Sequence, residues 1–383
     1  MFANGRFMFD KDGNLWSGQN WMPGSQSGVL RSIGGGVLKM TPNGTPVSPP
    51  ITGFTGMGLD GVGWGTAVTN DRVWASGLNG KILVMDLNGH PVGSESDFPF
   101  KQKLFGLMGV GVAPNGDVWV CDGSDNQLLY FPGGRIKDGK VVKMKGLASP
   151  FDIIVDPQNR VWVSNSQADT LLRFPIDDPS KVETFHLGIS VRAVALDQKG
   201  NLWVVSNYSP NFPLPKIPAG ASIMEQFRVI GGAGLAYPKP TGIVSMIRPD
   251  GTQAAPGGYT GGGTVSVPWG LNIDGNGDVW VGNMKNRSVL LMAGDDTKGH
   301  SPGTKTGDLI HMFTGGSIQM ITDVAIDPAG DVWAANNWNS GEGATAENPA
   351  FAVSTWGGGS GVTVIYGVAA PVKPPRMGEV RTY

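Results

Sequence analysis

A phrase ending in tryptophan recurs seven times along the chain, and this repetition constrains the fold more than any other feature. Each copy joins a turn rich in Asp, Asn, Gly and Pro to a short apolar run, as in VDPQNRVW and IDPAGDVW. The tryptophans are Trp16, Trp74, Trp119, Trp162, Trp203, Trp280 and Trp333. Self-similarity at a period near forty residues is typical of repeat proteins, in which each unit buries its apolar face against its neighbours.

Each copy has the pattern of a β-hairpin. In the fourth copy an apolar run at residues 151–155 precedes the turn and a second run at 161–163 follows it. A third run at 171–174 and a fourth at 182–185 come next. Four short antiparallel strands form one blade of a β-propeller. The sequence therefore predicts an all-β fold, a seven-bladed β-propeller with four-stranded antiparallel blades.

The composition agrees with many tight turns and little helix. The chain has 60 Gly and 28 Pro among 383 residues, and glycine is about twice its usual share. Only residues 219–229 are dense in helix-forming side chains. Because one ring of blades can use the whole chain, we expect a single domain over residues 1–383. An insertion at about 208–241 in the fifth blade interrupts it.

Charge and hydropathy argue against two classes of partner. The formal net charge is -2, and lysines and arginines are scattered rather than clustered. A nucleic-acid surface needs a concentrated positive patch, so we expect no nucleic-acid partner. No stretch approaches the roughly 20 apolar residues of a membrane span, so we expect no span either.

The sequence favours an exported protein, extracellular or periplasmic. A single cysteine, Cys121, excludes an internal disulfide. Charged residues make up only 16% of the chain, and a polar surface rich in Gly, Ser, Thr and Asn suits an exported bacterial protein. The first predicted strand starts at once. We therefore expect either that residues 361–366 and 368–372 close the ring or that a leader has been removed, and we favour the second.

Two copies resemble a known repeat. Residues 150–165 (PFDIIVD to VWVSN) and 323–336 (DVAID to VWAAN) are similar to the NHL-type repeat of streptogramin lyases and gluconolactonase-like propellers. The similarity covers nearly the whole chain and includes the closing segment 367–373. It implies a propeller fold and, if activity is retained, a metal-supported lyase or lactone hydrolase.

The catalytic residues of that family are not matched. The resemblance implies a histidine two positions after a glutamate, with a further catalytic histidine elsewhere. In this chain the residues two positions before the four histidines are Asn88, Thr184, Lys298 and Leu309. No catalytic residue is therefore carried over, which favours a binding function.

Aligning the copies on their tryptophans predicts which side chains meet at the axis. The position ten residues before each tryptophan starts the innermost strand, where crowding usually requires glycine. That position holds Arg6, Trp64, Gly109, Asp152, Ala193, Gly270 and Asp323. We expect the carboxylates, the arginine and the indole to face the channel mouth, with Asp152 opposite Asp323 and Arg6 beside Asp323.

The preceding position adds two more candidates, since it holds Arg192 next to Asp152 and Trp269 in the sixth blade. A carboxylate near an arginine stays ionised and can bind a cation or a polar ligand. The alternative is that these charges form ion pairs that only complete the channel.

Three long connections are predicted on the face where the innermost strands begin, at residues 19–36, 208–241 and 337–360. The second is a lid or a clamp on a neighbouring blade or subunit, since it is rich in apolar side chains. These are Phe212, Leu214, Ile217, Met224, Phe227 and Tyr237. In the other two connections, Trp21, Trp338 and Trp356 suit stacking on a sugar or another planar ligand.

A polar residue stands three positions after most of the tryptophans. Asn165, Asn283 and Asn336 are three of these, and such residues usually bond nearby backbone at a strand end. The alternative is that they join Asp152 and Asp323 as oxygen ligands of Ca²⁺ or Mg²⁺.

Two functions follow as hypotheses. The first is an exported propeller that binds a small polar ligand, a glycan or a partner protein at the loop-decorated face. The second is a divalent-metal-dependent lyase or lactone hydrolase, in which Asp152 and Asp323 hold the ion and Arg192 or Arg6 stabilises developing negative charge. Bound metal discriminates between them.

Overall fold

The structure, a computed structural model, describes residues 4–19, 35–218, 220, 223–338 and 358–374. Within them, the strands form seven antiparallel sheets of three or four strands each, in sequence order across every sheet. The first three sheets contain β1–β3 (Asn4–Phe9, Leu15–Gln19, Val37–Met40), β4–β6 (Val62–Val68, Arg72–Gly77, Ile82–Asp86) and β7–β10 (Leu107–Val112, Val118–Asp122, Gln127–Phe131, Lys140–Val142).

The remaining four sheets repeat this plan. The fourth and fifth contain β11–β14 (Pro150–Val155, Arg160–Asn165, Thr170–Pro175, Glu183–His186) and β15–β17 (Ile189–Leu196, Leu202–Tyr208, Ile243–Ile247). The sixth and seventh contain β18–β21 (Pro268–Ile273, Val279–Asn283, Ser288–Met292, Leu309–Thr314) and β22–β24 (Met320–Ile326, Val332–Trp338, Gly358–Ile365). Helix α1 (Ile223–Ala236) lies in the connection from β16 to β17.

The first strand of each sheet is the innermost one. β1 contacts β4, β4 contacts β7, and the same relation continues through β11, β15 and β18 to β22. β22 of the last sheet in turn contacts β1 of the first. The seven first strands therefore follow one another around a common axis, as expected for a propeller.

The repeated tryptophans form the core between the sheets. All seven lie on the second strand of their sheet and are at most 1% exposed. In five sheets the indole N–H donates to an aspartate six residues earlier at 2.7–3.1 Å. These aspartates are Asp10, Asp156, Asp197, Asp274 and Asp327.

The same aspartates shape the hairpin turns. The other oxygen of Asp156 accepts the backbone N–H groups of Gln158 at 3.0 Å and Arg160 at 2.9 Å. One carboxylate thus closes the turn and satisfies a buried indole, which explains why the phrase from Asp to Trp has the same length in these five sheets.

Within the described residues, only three sheets have the four strands that the sequence predicted. In the first, second and fifth sheets the fourth position is taken by a segment that makes isolated bridges to the third strand. Two of these bridges, Met40 to Pro46 and Met85 to Pro91, involve proline. Proline has no N–H to donate, so the segment lies alongside the strand without forming a continuous ladder.

The segment near the C-terminus does not extend the first sheet. β24 is the third strand of the seventh sheet. Residues 367–372 then run beneath the hairpins of the last two sheets, where Ala369 N donates to Gly330 O at 3.0 Å and Ala370 O accepts Gly275 N at 3.1 Å. The two end sheets meet by contact between β22 and β1 instead.

The part of the chain that the structure describes contains no helix with the length and apolar character needed to cross a bilayer.

Candidate functional site

The register of the second sheet changes which residues meet at the axis. Its first hairpin pairs Val68 with Val73, whereas the equivalent hairpin of the third sheet pairs Val112 with Val118. The turn in the second sheet is therefore one residue shorter. Counting ten residues back from Trp74 therefore gives Trp64, although the residue at the axial position of the second sheet is the next one in the chain.

Close packing confirms the corrected register. A Cβ on Gly65 would overlap the carbonyl oxygen of Met108, and one on Gly109 would stand 2.6 Å from that of Phe151. Gly65 is thus the equivalent of Gly109 at the crowded axis. Trp64 belongs to the adjacent layer, level with Met108 and Phe151.

The predicted site residues accordingly form two layers. The ion layer consists of Arg6, Asp152 and Asp323. The aromatic layer consists of Trp64, Phe151, Arg192 and Trp269, and lies nearer the end at which the first strands begin.

In the ion layer, an ion pair crosses the axis. Arg6 in the first sheet donates through Nη1 to Asp152 Oδ1 in the fourth, and through Nη2 to the Val194 carbonyl at 3.3 Å. The other oxygen of Asp152 accepts the Val194 N–H at 3.0 Å. The guanidinium and the carboxylate therefore join the first, fourth and fifth sheets.

Asp323 makes the same kind of tie at the meeting of the last and first sheets. Its Oδ2 accepts the N–H of Phe7 at 2.7 Å. Val194 and Phe7 each follow the axial residue of their own sheet. Both aspartates thus bond to the equivalent backbone position of the next sheet.

Burial raises the pKa of both carboxyl groups. The pKa of Asp152 is raised by desolvation, and this is opposed by Arg6 and by the N–H groups of Val194 and Ile153. The pKa of Asp323 is raised to about 7, again by desolvation first, with Arg6 lowering it and Asp152 raising it. Of the two carboxyl groups, Asp152 is the one that pairs directly with Arg6, and the pKa of Asp323 is the one raised to about 7.

The aromatic layer is stacked around a buried cation. The ring of Phe151 lies 5.1 Å from Trp64 and 5.9 Å from Trp269, centroid to centroid. The Arg192 guanidinium lies 4.7 Å from the Phe151 ring and 4.1 Å from the Trp269 ring. Arg192 Nε donates to Asn207 Oδ1 at 2.8 Å. Burial lowers the pKa of Arg192 to about 10.

Trp64 connects the two layers electrostatically. Its indole N–H lowers the pKa of Asp152, yet Nε1 has no hydrogen-bond partner of ordinary length. A buried donor without a good acceptor is unfavourable, so the indole is the polar group of this site that a small ligand or water could satisfy.

The predicted mouth residues are packed against one another. Trp64, Asp152, Arg192, Trp269 and Asp323 are at most 7% exposed, and the Arg6 side chain is 12% exposed. Arg192, which the sequence placed beside Asp152, contacts Asn207 and the aromatic rings instead. Two further predicted ligand-binding residues, Trp21 and Trp338, cannot be compared, because Trp21 and the side chain of Trp338 lie outside the described part of the chain.

The three asparagines hold the segment that leads into the first strand of their own sheet. Asn165 Oδ1 accepts Ala148 N–H at 2.9 Å, and Nδ2 donates to Gly146 O and Thr170 Oγ1, both at 2.8 Å. Asn283 and Asn336 repeat this arrangement in the sixth and seventh sheets. These are the contacts expected if the three asparagines bond nearby backbone rather than a metal ion.

The axial carboxylates are a poor fit to a divalent metal. Arg6 already supplies the positive charge beside Asp152. In the part of the chain that the structure describes, no group of three or more His, Cys, Asp and Glu residues could hold an ion. Calcium takes six to eight oxygen ligands, so two aspartates alone do not form its site.

The insertion of the fifth sheet packs on its own sheet and on the sixth. Tyr208 stacks on Phe212 at 4.4 Å, and Phe212 meets the edge of Tyr237 at 5.2 Å. Lys285 of the sixth sheet donates to the carbonyls of Tyr237 and Lys239. These aromatic residues share one apolar cluster with Trp64, Phe151 and Trp269.

The exposed part of the insertion combines apolar side chains with Lys216 and Lys239. Leu214 and Ile217, two of the predicted lid residues, are 51% and 40% exposed. The side chains of Met224 and Phe227 lie outside the described groups. Residues 223–229 of the stretch dense in helix-forming side chains lie in α1, which continues to Ala236, and Gly234 lets the helix approach the ring of Tyr208.

All four histidines stand in the outer half of their sheets. His186 lies on β14 and His311 on β21, the outermost strands of the fourth and sixth sheets. His90 follows β6 and contacts Asp86 at 3.1 Å, and His300 lies between β20 and β21 and contacts Asp278 at 2.8 Å. No histidine therefore reaches the axis.

The comparisons with known proteins agree on fold and differ in activity. No protein-family model and no curated protein matches the chain. A streptogramin B lyase structure is similar with a TM-score of 0.60 and 13% identity, over 87% of this chain and 90% of that one. The chain has a streptogramin-lyase-like propeller fold.

Two further structures widen the range of functions on this fold. Hydrazine synthase of Kuenenia stuttgartiensis has a TM-score of 0.62 and 13% identity, over 96% of each chain. The extracellular domain of a two-component system from B. thetaiotaomicron has a TM-score of 0.54 and 14% identity, over 87% of this chain and 37% of that one. Likeness at such identity establishes the fold and not the chemistry.

Proposed function

We propose that the chain is an exported seven-bladed β-propeller, one domain over its whole length, that binds a small polar ligand, a glycan or a partner protein. The binding face is the one where the first strands begin and where the fifth-sheet insertion packs. The succession of first-strand contacts from β1 to β22 and back to β1 supports seven blades. An extracellular domain among the structural neighbours is compatible with export.

The observation that carries this proposal is the position of the histidines. All four lie in the outer halves of their sheets, away from the ion layer and the aromatic layer. Histidine is the side chain that most often transfers protons near neutral pH. A site without one, whose carboxylates bond to backbone and to arginine, is suited to holding a ligand rather than to cleaving it.

The exposed apolar part of the insertion is the described surface best placed to meet a ligand. Leu214 and Ile217 stand on a loop whose base, at Phe212 and Tyr237, is anchored to the aromatic layer through one continuous cluster. Long loops on a rigid scaffold are where binding residues usually lie.

A ligand screen with matched variants tests the proposal. Soluble oligosaccharides and small carboxylic acids are screened by thermal shift against the wild type and the double variant Leu214→Ser/Ile217→Ser. The control is Val47→Ser/Ile51→Ser, which removes two equally exposed apolar side chains from the first sheet. We expect stabilisation of the wild type and the control, and loss of it in the insertion variant. Equal stabilisation of all three proteins would contradict the assignment of the face.

One observation favours the catalytic part of the enzymatic alternative, a divalent-metal-dependent lyase or lactone hydrolase, but not its metal dependence. Asp323 is a buried carboxyl group with a pKa of about 7 at the axis, and such groups cluster at catalytic sites. Metal analysis of the purified protein, together with lactone and cyclic-ester turnover by the wild type and Asp323→Asn, discriminates. Bound metal and turnover that both disappear in the variant would replace the binding function with the enzymatic one.

A further inference from the structure

The fold gathers basic side chains that stand apart in the sequence. Residues 98–147 carry seven of them, all exposed. These are Lys101, Lys103, Arg135, Lys137, Lys140, Lys143 and Lys145. The same range has four acidic side chains, of which Asp117 and Asp122 are buried. The surface formed by this range is therefore basic, although the formal net charge of the whole chain is -2.

Two stretches of this range, 97–103 and 135–145, lie side by side at the outer edge of the third sheet. A Cβ on Gly139 would stand 3.1 Å from the ring of Phe100. Each of these two residues is followed in the chain by a lysine. The contact therefore brings the lysines of both stretches to the same edge.

The end of the second stretch adds two more lysines to this edge. Val142 and Met144 pack against the apolar cluster between the third and fourth sheets. Lys143 and Lys145, which alternate with them in the sequence, are exposed. Together with Lys140, the first residue of β10, they line the outermost part of the sheet.

Most of these cations have no acidic partner. Arg135 pairs with Asp138 at 2.5 Å, and Lys137 pairs with Asp97 at 3.4 Å. Among the described residues, no ion pair involves the other five cations, which we call the lysine patch: Lys101, Lys103, Lys140, Lys143 and Lys145. Like charges held near one another repel, and a bound polyanion would relieve that repulsion.

Protection of a sheet edge does not account for the lysine patch. Lysines on an edge strand commonly discourage pairing with another chain, but the equivalent edges of other sheets have no such surplus. Residues 132–145 of the third sheet contain five Lys or Arg and one Asp or Glu. Residues 176–186 of the fourth sheet contain one and three, and residues 293–314 of the sixth contain two and three.

The segments outside the described ranges have too few acidic residues to neutralise the patch. Residues 1–3, 20–34 and 219–222 contain no Asp or Glu, and residues 375–383 contain one Glu and two Arg. Residues 339–357 contain two Glu and connect two strands of the seventh sheet, which does not adjoin the third. The complementary charge must come from a separate molecule.

The side chains of the patch narrow the class of anion. Lysine acts as a point charge, whereas bidentate recognition of phosphate typically uses arginine, and Arg135 is already paired. Phe105 is 52% exposed and follows Lys103 by two residues, so an aromatic ring is available to pack on a sugar. It is the one exposed large apolar residue in 98–147, which is too little apolar surface to insert into a bilayer.

We propose that the lysine patch binds a linear acidic polysaccharide, with its ammonium groups facing carboxylates along the polymer and Phe105 packed on a sugar ring. Each exposed ion pair contributes little in water, so five separate cations suit a polymer that supplies many charges at once. The patch contains no residue of the loop-decorated face. It is therefore a second site, and it does not depend on the proposed function.

The test compares one polymer with and without its charges. The full-length protein is titrated onto immobilised polygalacturonate and onto the fully methyl-esterified polymer, which has the same backbone and no carboxylate. We expect saturable binding of the charged polymer alone at about 50 mM salt, weakened about tenfold or more at about 200 mM, because binding releases counterions. Equal binding of both polymers, or binding of neither, overturns the proposal.

Variants of the protein locate the binding. Lys101→Gln/Lys140→Gln removes two charges of the patch, and Lys298→Gln/Lys305→Gln removes two exposed lysines of the sixth sheet. Both variants lose the same net charge. We expect the patch variant to bind polygalacturonate about tenfold more weakly and the control variant to bind it as the wild type does.

Two results with these variants overturn the proposal. Equal loss of polygalacturonate binding in both would mean that net charge decides, rather than the patch. Loss of binding to vesicles that contain phosphatidylglycerol, with unchanged binding to polygalacturonate in the patch variant, would make an anionic bilayer the partner instead.

Discussion

Replacing Ala113 with aspartate should stabilise the protein, because the third sheet lacks a group that five other sheets have. Trp119 is fully buried and its Nε1 has no hydrogen-bond partner. In the equivalent position of the fourth sheet, Asp156 accepts the Trp162 indole N–H at 2.7 Å. Ala113 has the same backbone pattern as Asp156, with N bonded to Asp117 O at 2.8 Å and O bonded to Gly116 N at 2.9 Å.

The magnitude follows from the groups involved. A buried unsatisfied donor costs about 1–3 kcal/mol, and Ala113→Asp would supply its acceptor together with acceptors for the turn. The new carboxylate must be desolvated and would lie near Asp117. The sixth sheet shows that two such carboxylates coexist, since Asp274 and Asp278 have this spacing, and the pKa of Asp274 is raised by burial first and by Asp278 as well. We therefore expect a net gain of about 1 kcal/mol.

Two measurements check this gain. The midpoint of urea unfolding should rise in Ala113→Asp and fall in Asp327→Ala, which creates the arrangement of the third sheet in the seventh. The indole ¹H resonance of Trp119, assigned with Trp119→Phe, should move toward those of the five aspartate-bonded indoles. An unmoved resonance, or a loss of stability despite a moved resonance, would refute the reasoning.

Three further predictions concern residues at the axis. Asp323→Asn should flatten the pH dependence of stability, because the folded pKa of Asp323, about 7, lies above its unfolded value of 3.8. In the wild type the contribution of Asp323 to the free energy of unfolding therefore falls by roughly 3–4 kcal/mol as pH rises from 4 to 8. Urea midpoints measured across that range show whether the variant lacks this loss. Arg6→Met leaves Asp152 buried without its cation and should cost about 3–5 kcal/mol in the same assay at pH 7.5, whereas an equally stable variant would show that the ion pair is dispensable. Gly65→Ala should cost several times more than Gly299→Ala in thermal melting, because only the first Cβ meets a neighbouring carbonyl; equal costs would contradict the corrected register.

The repetition of the tryptophan phrase was enough to predict the β fold because it combines two local signals. The turn residues specify a hairpin, and a large apolar residue after each turn must be buried. Both signals act within one sheet, so the sequence reveals them directly. The roles of Asn165, Asn283 and Asn336 were also open to prediction, since each contacts residues of its own sheet.

Contacts between sheets were less predictable. Arg6 was expected beside Asp323 in the adjacent blade, and it bonds to Asp152 on the other side of the axis. Which aspartate Arg6 reaches depends on the residues at the same level in the second and third sheets. Those residues are Gly65 and Gly109, which place no side chain between Arg6 and Asp152. Only the corrected register reveals this arrangement.

The error at Trp64 has a physical cause that the sequence contains. Counting from a tryptophan assumes that every turn has the same length, but the turn from Val68 to Val73 is one residue shorter than that from Val112 to Val118. Counting from the turn instead gives Arg6, Gly65, Gly109, Asp152, Ala193, Gly270 and Asp323 at the axis. Every residue in this series is either small or bonded to a neighbouring sheet, as seven strands crowding one axis require. At the position of Gly65 itself a Cβ would overlap the Met108 carbonyl oxygen, so no indole fits there.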